Sequence, residues 1–454
     1  MSTVSPLREA TAVVPTRAVV VGFGVTGRAV ARALVTHGST VTAVDDRPTD
    51  ALRAAAADAG VELIAAPDDE QLKRLLEAAD GVLPAPGLPE RHPVFALAAS
   101  TGVPVRSELD LAAAWDDRPC VAITGTNGKT TVVTLVTNML RASGRRAVDA
   151  GNTDVPLVEA IDDPTTEVFV VEASSFRLTF ATAFRPAVGT WLNFEADHLD
   201  VHRSLADYEA AKARLFELVA DDGLAVANAD DPVVLRHASS APRVETFGLV
   251  ADADWHVADG RLRGPGGIDL LPVDALPRAL PHDLANALAA AATALGAGAE
   301  LEAVRAALTE FAGLPHRVEL VGEAGGVRWY DDSKATAPHA TLAALAGFDA
   351  VVLIAGGRNK GLDLAPLARA SDRIRAVVAI GEAAPDVSAA FEGTRPVVTA
   401  TSMDDAVRAA AHLAVQGDAV LLSPGCASFD WYRSYGERGD DFQRAVREQI
   451  EVDA

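Results

Sequence analysis

Residues 120–144, CVAITGTNGKTTVVTLVTNMLRASG, force a strand, a glycine loop and a helix into immediate succession. A β-branched run ends at Thr124, and apolar residues recur at helical spacing from Lys129 onward. A strand that feeds a helix through so short a loop packs as part of an α/β layer. Gly125 and Gly128 let the backbone approach a phosphate, and successive N–H groups at the helix start supply partial positive charge. Lys129 is then in reach of the β- and γ-phosphates of a nucleotide, and the Thr130 hydroxyl can ligate Mg²⁺. One departure stands out. In the usual G-x-x-x-x-G-K-[ST] loop a glycine precedes the second glycine by five residues, but here that position is Ile123.

A second glycine turn lies near the N-terminus. Arg17–Arg47 reads as strand, Gly22-x-Gly24-x-x-Gly27 turn, helix and strand, with Asp45 at the end of the second strand. This is a Rossmann-like βαβ unit. Taken alone the turn fits NAD, another nucleotide, or a tight turn without a ligand. Similar alternation continues through a second block, opening at the polar stretch Asp116–Cys120. A third block starts near Leu314, with strand-like segments AVVLIAGG, AVVAIG and AVLLSPG. Alternating elements in all three blocks predict parallel sheets flanked by helices.

Composition narrows the function classes. A formal net charge of -23 argues against nucleic acid or an anionic membrane as the main partner. The two cysteines, Cys120 and Cys426, are far apart and form no disulfide framework, which suits a reducing cytoplasm. The first 17 residues carry no continuous apolar leader, and no run approaches the length of a membrane span.

Further candidate groups sit on expected strand ends, where α/β sheets bind ligands. Glu172 closes VFVVE, and NFEADHLDVH brings Asp197, His198, Asp200 and His202 just beyond the next strand. Glu172 and His198 are thus placed to meet a Mg-nucleotide held by Lys129. Lys212, in YEAAK, reads from the residues alone as a solvated helix lysine.

The stretches GTNGKTT, EASSFRL, NFEADHLDVH, YEAAKARLF, LPHRVE, DDSKATAP and SPGCASFDWYRSYGERGDDF occur in the order and spacing of the Mur ligases. The resemblance runs from Gly22 to Phe442, and the displaced glycine matches this family's own loop. It implies a three-domain α/β architecture: a Rossmann-like uridine-nucleotide domain (1–116), a central P-loop ATPase domain (117–314) and a Rossmann-like C-terminal domain (315–454). The implied activity is ATP-dependent addition of D-glutamate to UDP-N-acetylmuramoyl-L-alanine through an acyl phosphate. The enzyme implied is a cytoplasmic, monomeric one of peptidoglycan precursor synthesis, with neither nucleic acid nor membrane insertion.

Carried over position by position, the resemblance assigns ATP contacts to Gly125, Thr126, Asn127, Gly128, Lys129, Thr130, Thr131, Asn286, Arg317, Asp332 and Lys334. Val25, Thr26, Asp45, Asp46, Arg47 and Gly87 match uridine-side contacts. Asn152, Ser174 and Arg177 match the nearer part of that substrate, with Arg177 standing where some relatives have glutamine. Thr336, Lys360, Ser428 and Tyr435 match the D-glutamate pocket, Tyr435 in place of a phenylalanine. The turn at Pro424-Gly425 is expected to aim backbone N–H groups at a carboxylate of that substrate. Thr130, Glu172 and His198 resemble Mg²⁺ ligands. Lys212 matches a lysine that relatives carbamylate with CO₂, which would make it a fourth, anionic ligand. Lys129, Glu172, His198 and Lys212 form the implied catalytic set, and whether His198 serves the metal or deprotonates the incoming amine stays open.

Rival readings account for fewer of these residues. Sibling ligases that add a diamino acid carry a D-N-P-R motif, absent here. Folylpolyglutamate synthetases have a related loop without the preceding uridine domain. A dehydrogenase uses Gly22 to Asp45 but leaves GTNGKTT without a role, and a non-catalytic nucleotide-binding regulator has no need of Lys129, Glu172, His198 and Lys212 together.

Overall fold

The structure, a computed structural model, describes residues 13–453. Residues 1–12, which hold most of the segment read as lacking an apolar leader, lie outside the described residues. Two compact units divide the chain: residues up to Pro277 with Leu284–Phe311, and Arg278–Asp283 with the chain from Ala312 on.

The first unit holds two parallel sheets. One has four strands in the spatial order Glu62–Ala65, Thr40–Asp45, Arg17–Val21, Gly81–Pro84. The other has six, ordered Val244–Phe247, Leu224–Asn228, Val188–Trp191, Cys120–Thr124, Val168–Glu172, Ala147–Gly151. A shared apolar cluster explains why two sheets make one unit: Val20, Val30 and Leu34 pack in the same core as Leu109, Leu157, Phe169 and Phe184. In the six-stranded sheet, Cys120–Thr124 lies between Val168–Glu172 and Val188–Trp191, with Ile123 opposite Glu172 and Thr124 opposite Trp191. Three neighbouring strands therefore end together, which is where a parallel sheet collects its functional loops.

The second unit is a six-stranded sheet ordered Glu319–Ala324, Val327–Asp331, Ala419–Leu422, Val351–Gly356, Ile374–Ile380, Val397–Thr399. Its two faces carry separate apolar clusters.

Two places depart from the expected all-parallel pattern. Glu319–Ala324 pairs antiparallel with Val327–Asp331 through the Gly325-Gly326 turn, whose two glycines have φ of 58° and 73°. Residues 256–272 add a three-stranded antiparallel sheet with strands of three to five residues. Paired glycines make tight hairpins possible, and a hairpin needs no crossover helix. Among the described residues, no helix is long and apolar enough to cross a membrane.

Candidate active site

The loop Gly125–Gly128 opens directly from the central strand, and Gly128, at φ 82°, turns it into the helix Lys129–Ala142. Two features require glycine at 128. Its backbone is left-handed, and a Cβ there would lie 2.6 Å from Oδ1 of Asn286. Asn286, on the helix Pro281–Gly296, thus packs directly on the loop. The loop is also braced from the neighbouring strand end. Asn193 accepts from the N–H groups of Thr126 (2.9 Å) and Asn127 (2.8 Å) through Oδ1, and its Nδ2 donates to the Asn127 carbonyl (3.2 Å). Thr126 Oγ1 lies 3.2 Å from the Tyr208 hydroxyl.

Lys129 Nζ donates to the carbonyls of Gly125 (2.7 Å) and Thr126 (2.8 Å). Lys212 Nζ donates to that same Gly125 carbonyl at 2.7 Å. The expectation of a solvated Lys212 is therefore wrong: the residue is 1% exposed and its ammonium lies 4.7 Å from the centre of the Tyr208 ring. The helix Leu205–Leu218 buries Tyr208, Ala211, Lys212, Leu215 and Phe216, so the lysine belongs to its apolar stripe. Burial, then the charge of Lys129, hold its pKa well below the usual lysine range, against the opposing pull of Asp197 and Glu172.

Glu172, 4% exposed, has both carboxylate oxygens engaged. Thr130 Oγ1 donates to Oε2 and Asn152 Nδ2 to Oε1, each at 2.9 Å. His198 sits at φ 55° with its ring edge-on to Phe176 and Tyr208, and its Nε2 is 3.4 Å from Asp197. Loss of water lowers its pKa, and Lys129 and Lys212 push the same way against Asp197 and Asp200, which favours neutral imidazole at pH 7. The hydroxyl of Thr130 and the carboxylate of Glu172 are hard oxygen donors of the kind Mg²⁺ takes when nucleotide phosphates supply its other ligands. The residues fit that ion.

His202, by contrast, is turned away from this group. Its ring nitrogens meet Glu90 (2.7 Å) and Ser175 (2.8 Å), and its side chain is 1% exposed.

At the N-terminal turn, Gly27 is fixed by crowding, since a Cβ there would lie 1.9 Å from the Gly22 carbonyl oxygen. Asp45 accepts from the N–H groups of Phe23 (2.8 Å) and Arg47 (2.9 Å), so it shapes the turn and the loop after its own strand. Asp46 faces His92 at 3.4 Å, Val25 is exposed, and Gly87 has φ 84°. Ser174, 7% exposed, accepts from the Arg177 N–H (3.5 Å) at the head of the short helix Ser175–Thr179. Arg177 is buried, and Nε donates to Glu108 at 2.7 Å.

Within the second unit, strand ends again gather the candidates. Ser423 donates to Asp332 at 2.7 Å, and burial, with Asp331 adding to it, pushes the Asp332 carboxyl up to about 7 although Arg317 opposes. Lys334 Nζ lies 3.7 Å from the centre of the Tyr435 ring. The backbones of Arg358 and Ala427 bond each other in both directions (2.8 and 3.1 Å), which ties the loop of Lys360 to that of the buried Ser428. The Gly425 N–H, expected to face a substrate carboxylate, instead donates to the Ala335 carbonyl at 2.9 Å and ties in the loop of Thr336.

Three domain families match this chain: Mur ligase MurD-like N-terminal domain over residues 16–107, Mur ligase middle domain over 123–294, and Mur ligase glutamate ligase domain over 316–426. The chain belongs to the Mur ligase family. Among curated Mur ligases, proteins named UDP-N-acetylmuramoylalanine--D-glutamate ligase are 40% identical in Syntrophotalea carbinolica, over 94% of this chain and 97% of that protein, and 42% identical in Frankia casuarinae, over 94% and 93%. The same fold is seen in a pseudomurein peptide ligase type C from Methanothermus fervidus, with TM-score 0.59 and 19% identity over 96% of this chain and 100% of that one. It is seen too in the UDP-N-acetylmuramate-alanine ligase MurC of Thermotoga maritima, with TM-score 0.55 and 18% identity over 96% and 100%. Two residues that touch the candidate groups were not singled out in the sequence, Asn193, which opens the stretch NFEADHLDVH, and Glu108. Asn193 offered a signal, as a polar residue just beyond the end of a strand adjacent to the loop.

Proposed function

We propose that this Mur ligase joins D-glutamate to UDP-N-acetylmuramoyl-L-alanine at the expense of ATP, in peptidoglycan precursor synthesis. The observation that carries the reading is the convergence of Lys129, Thr130, Glu172 and the buried Lys212 around one phosphate-binding loop. The full-length likeness to proteins named for this reaction supports it.

A carboxylate is a poor electrophile, so its oxygen first attacks the γ-phosphorus of ATP, the bond to the β-bridging oxygen breaks, and ADP leaves. Lys129 swings from the loop carbonyls to the phosphoryl oxygens, where positioning and charge do most of the catalysis. Thr130, Glu172 and His198 are the residues that would hold Mg²⁺, which when bound would offset charge on the transferring phosphoryl group. The neutral amine of D-glutamate then attacks the acyl phosphate, and inorganic phosphate departs. Neutral His198 is able to take the amine proton only when it does not hold the metal, and the two roles compete for the one imidazole. Burial and the charge of Lys129 shift Lys212 toward its neutral amine, the form that reacts with CO₂. Its carbamate would replace repulsion from Lys129 by attraction, while the nearby Glu172 would make that carbamate depend on a cation.

We assign residues 1–116 to the uridine nucleotide, with Val25, Thr26, Asp45, Asp46, Arg47 and Gly87 at the turn and Asn152, Ser174 and Arg177 nearer the reacting end. Residues 117–314 take ATP through Gly125–Thr131 and Asn286. Residues 315–454 add Arg317, Asp332 and Lys334 toward ATP, and Thr336, Lys360, Ser428 and Tyr435 toward D-glutamate. Two carboxylates on that amino acid call for cations and hydroxyls, which Lys360, Thr336 and Ser428 provide. The reading is of a cytoplasmic monomer, as a reaction fed by ATP and a nucleotide sugar requires no membrane.

The test is phosphate release with ATP, UDP-N-acetylmuramoyl-L-alanine and a panel of amino acids. D-glutamate is expected to support turnover at least about a hundredfold better than L-alanine, because a pocket built for a second carboxylate is left with unpaired polar groups by the smaller substrate. Equal rates with both would overturn the assignment.

A further inference from the structure

Arg177 ties the two glycine loops of the first unit together. Its Nη2 donates to Thr26 Oγ1 at 3.0 Å, in the first turn of the helix that follows the N-terminal glycine turn. Its Nη1 donates to Asn152 Oδ1 at 3.1 Å. Asn152 Nδ2 in turn donates to Glu172 Oε1, and Thr130 of the phosphate loop to Oε2. Four contacts thus run without a break from the uridine-side turn to the loop that holds ATP. The pivot is fixed: Nε donates to Glu108, both side chains are at most 4% exposed, and the Arg177 carbonyl accepts from Ser107 at 2.8 Å. Glutamine, shorter and uncharged, could not serve Glu108, Asn152 and Thr26 at once.

We propose that Arg177 is a positioning residue that makes affinity at the Mg²⁺-nucleotide site depend on occupancy of the uridine-nucleotide site, a proposal that rests on the assignment of those two sites above. The pyrophosphate of a nucleotide sugar at the turn is a stronger acceptor for Nη2 than the neutral Thr26 hydroxyl. A guanidinium is a rigid plane, so Nη1 moves with Nη2 and Asn152 follows. Glu172 Oε1 then loses its donor and becomes available to a divalent cation. Binding at either site favours the other by the same factor.

The experiment uses the full chain and calorimetric titration of Mg²⁺ with a non-hydrolysable ATP analogue, with and without saturating UDP-N-acetylmuramoyl-L-alanine. The parent is expected to bind the analogue about fivefold or more tightly in the presence of the nucleotide sugar, the lower end of ordinary coupling. Thr26→Val removes the acceptor that holds Nη2 in its resting place, so the guanidinium is released without the nucleotide sugar; analogue binding should tighten in its absence and the factor fall to within about twofold of one. Arg177→Lys keeps a charge beside Glu108 but cannot reach three partners, so it should lose the coupling as well while keeping its melting temperature. A purely structural arginine predicts the opposite, coupling retained in Arg177→Lys. Binding of both ligands with no coupling in the parent, or with coupling unchanged in the variants, overturns the relay alone. No detectable binding of the nucleotide sugar would refute the functional assignment and the relay with it.

Discussion

Lys212 shows how burial changes what a residue is. On a solvated helix it would be an ordinary cation; here its amine is enclosed, with the Gly125 carbonyl at 2.7 Å and Thr124 Oγ1 at the outer limit of a hydrogen bond. Removing it should cost activity about a hundredfold, typical of losing one preorganised electrostatic group. If the anionic carbamate is what matters, a small carboxylic acid added to Lys212→Ala should restore part of the phosphate release, and a variant as active as the parent would discard the idea. Asp332 gives a second prediction, one of pH. Its carboxyl titrates near 7 when folded and about 3.9 when unfolded. Between these values the folded chain holds a proton that the unfolded chain has released, so stability from this group is full below about pH 4 and is lost as pH rises through 7. Asp332→Asn should therefore flatten the decline in melting temperature between pH 5 and 8; an unchanged slope would show that the group does not titrate there. Lys212 was half legible in the sequence. Tyr208, Ala211, Leu215 and Phe216 spell an apolar stripe in which it takes the i+4 place, but only the packed structure shows that the stripe faces the phosphate loop. The partners of Arg177 were not legible at all, because Glu108 is 69 and Thr26 is 151 residues away.

At the scale of elements, the strand–loop–helix at Cys120–Ala142 could be read from the chain because every determinant is local: a β-branched strand, glycines at the turn, a helical apolar period. Its neighbours followed from the rule that parallel strands end their loops on one edge. What local sequence could not supply was the brace. Asn193 reaches the loop from the next strand end and satisfies Thr126 and Asn127 together. Asn193→Ala strips these amides of a shared acceptor, at about 1 kcal/mol per lost bond. The expected outcome is an ATP Michaelis constant raised about tenfold, with that for D-glutamate changed far less. A shift of equal size in both would mean that Asn193 supports the whole site rather than the loop. The antiparallel sheet at 256–272 escaped the sequence reading for a related reason: its strands are too short to display a period.

At the scale of the whole molecule, each unit has apolar clusters among its described residues: those around Val20 and Val121 in the first, and those around Leu353 and Val420 in the second. A fragment ending at Phe311 should therefore melt cooperatively and bind the nucleotide sugar, yet form no amide. If it fails to fold, the first unit depends on the second for stability. The chain also carries its own pair of reporters. Cys120 lies in the first unit and Cys426 in the second, and burial pushes their thiols up to about 12 and about 11. Thiolate is the reactive form, so a folded unit withholds its sulfur from alkylating and oxidising reagents. Each unit then announces its own opening by the moment its single cysteine becomes labelled, which turns the two sulfurs into separate clocks in an otherwise thiol-free chain.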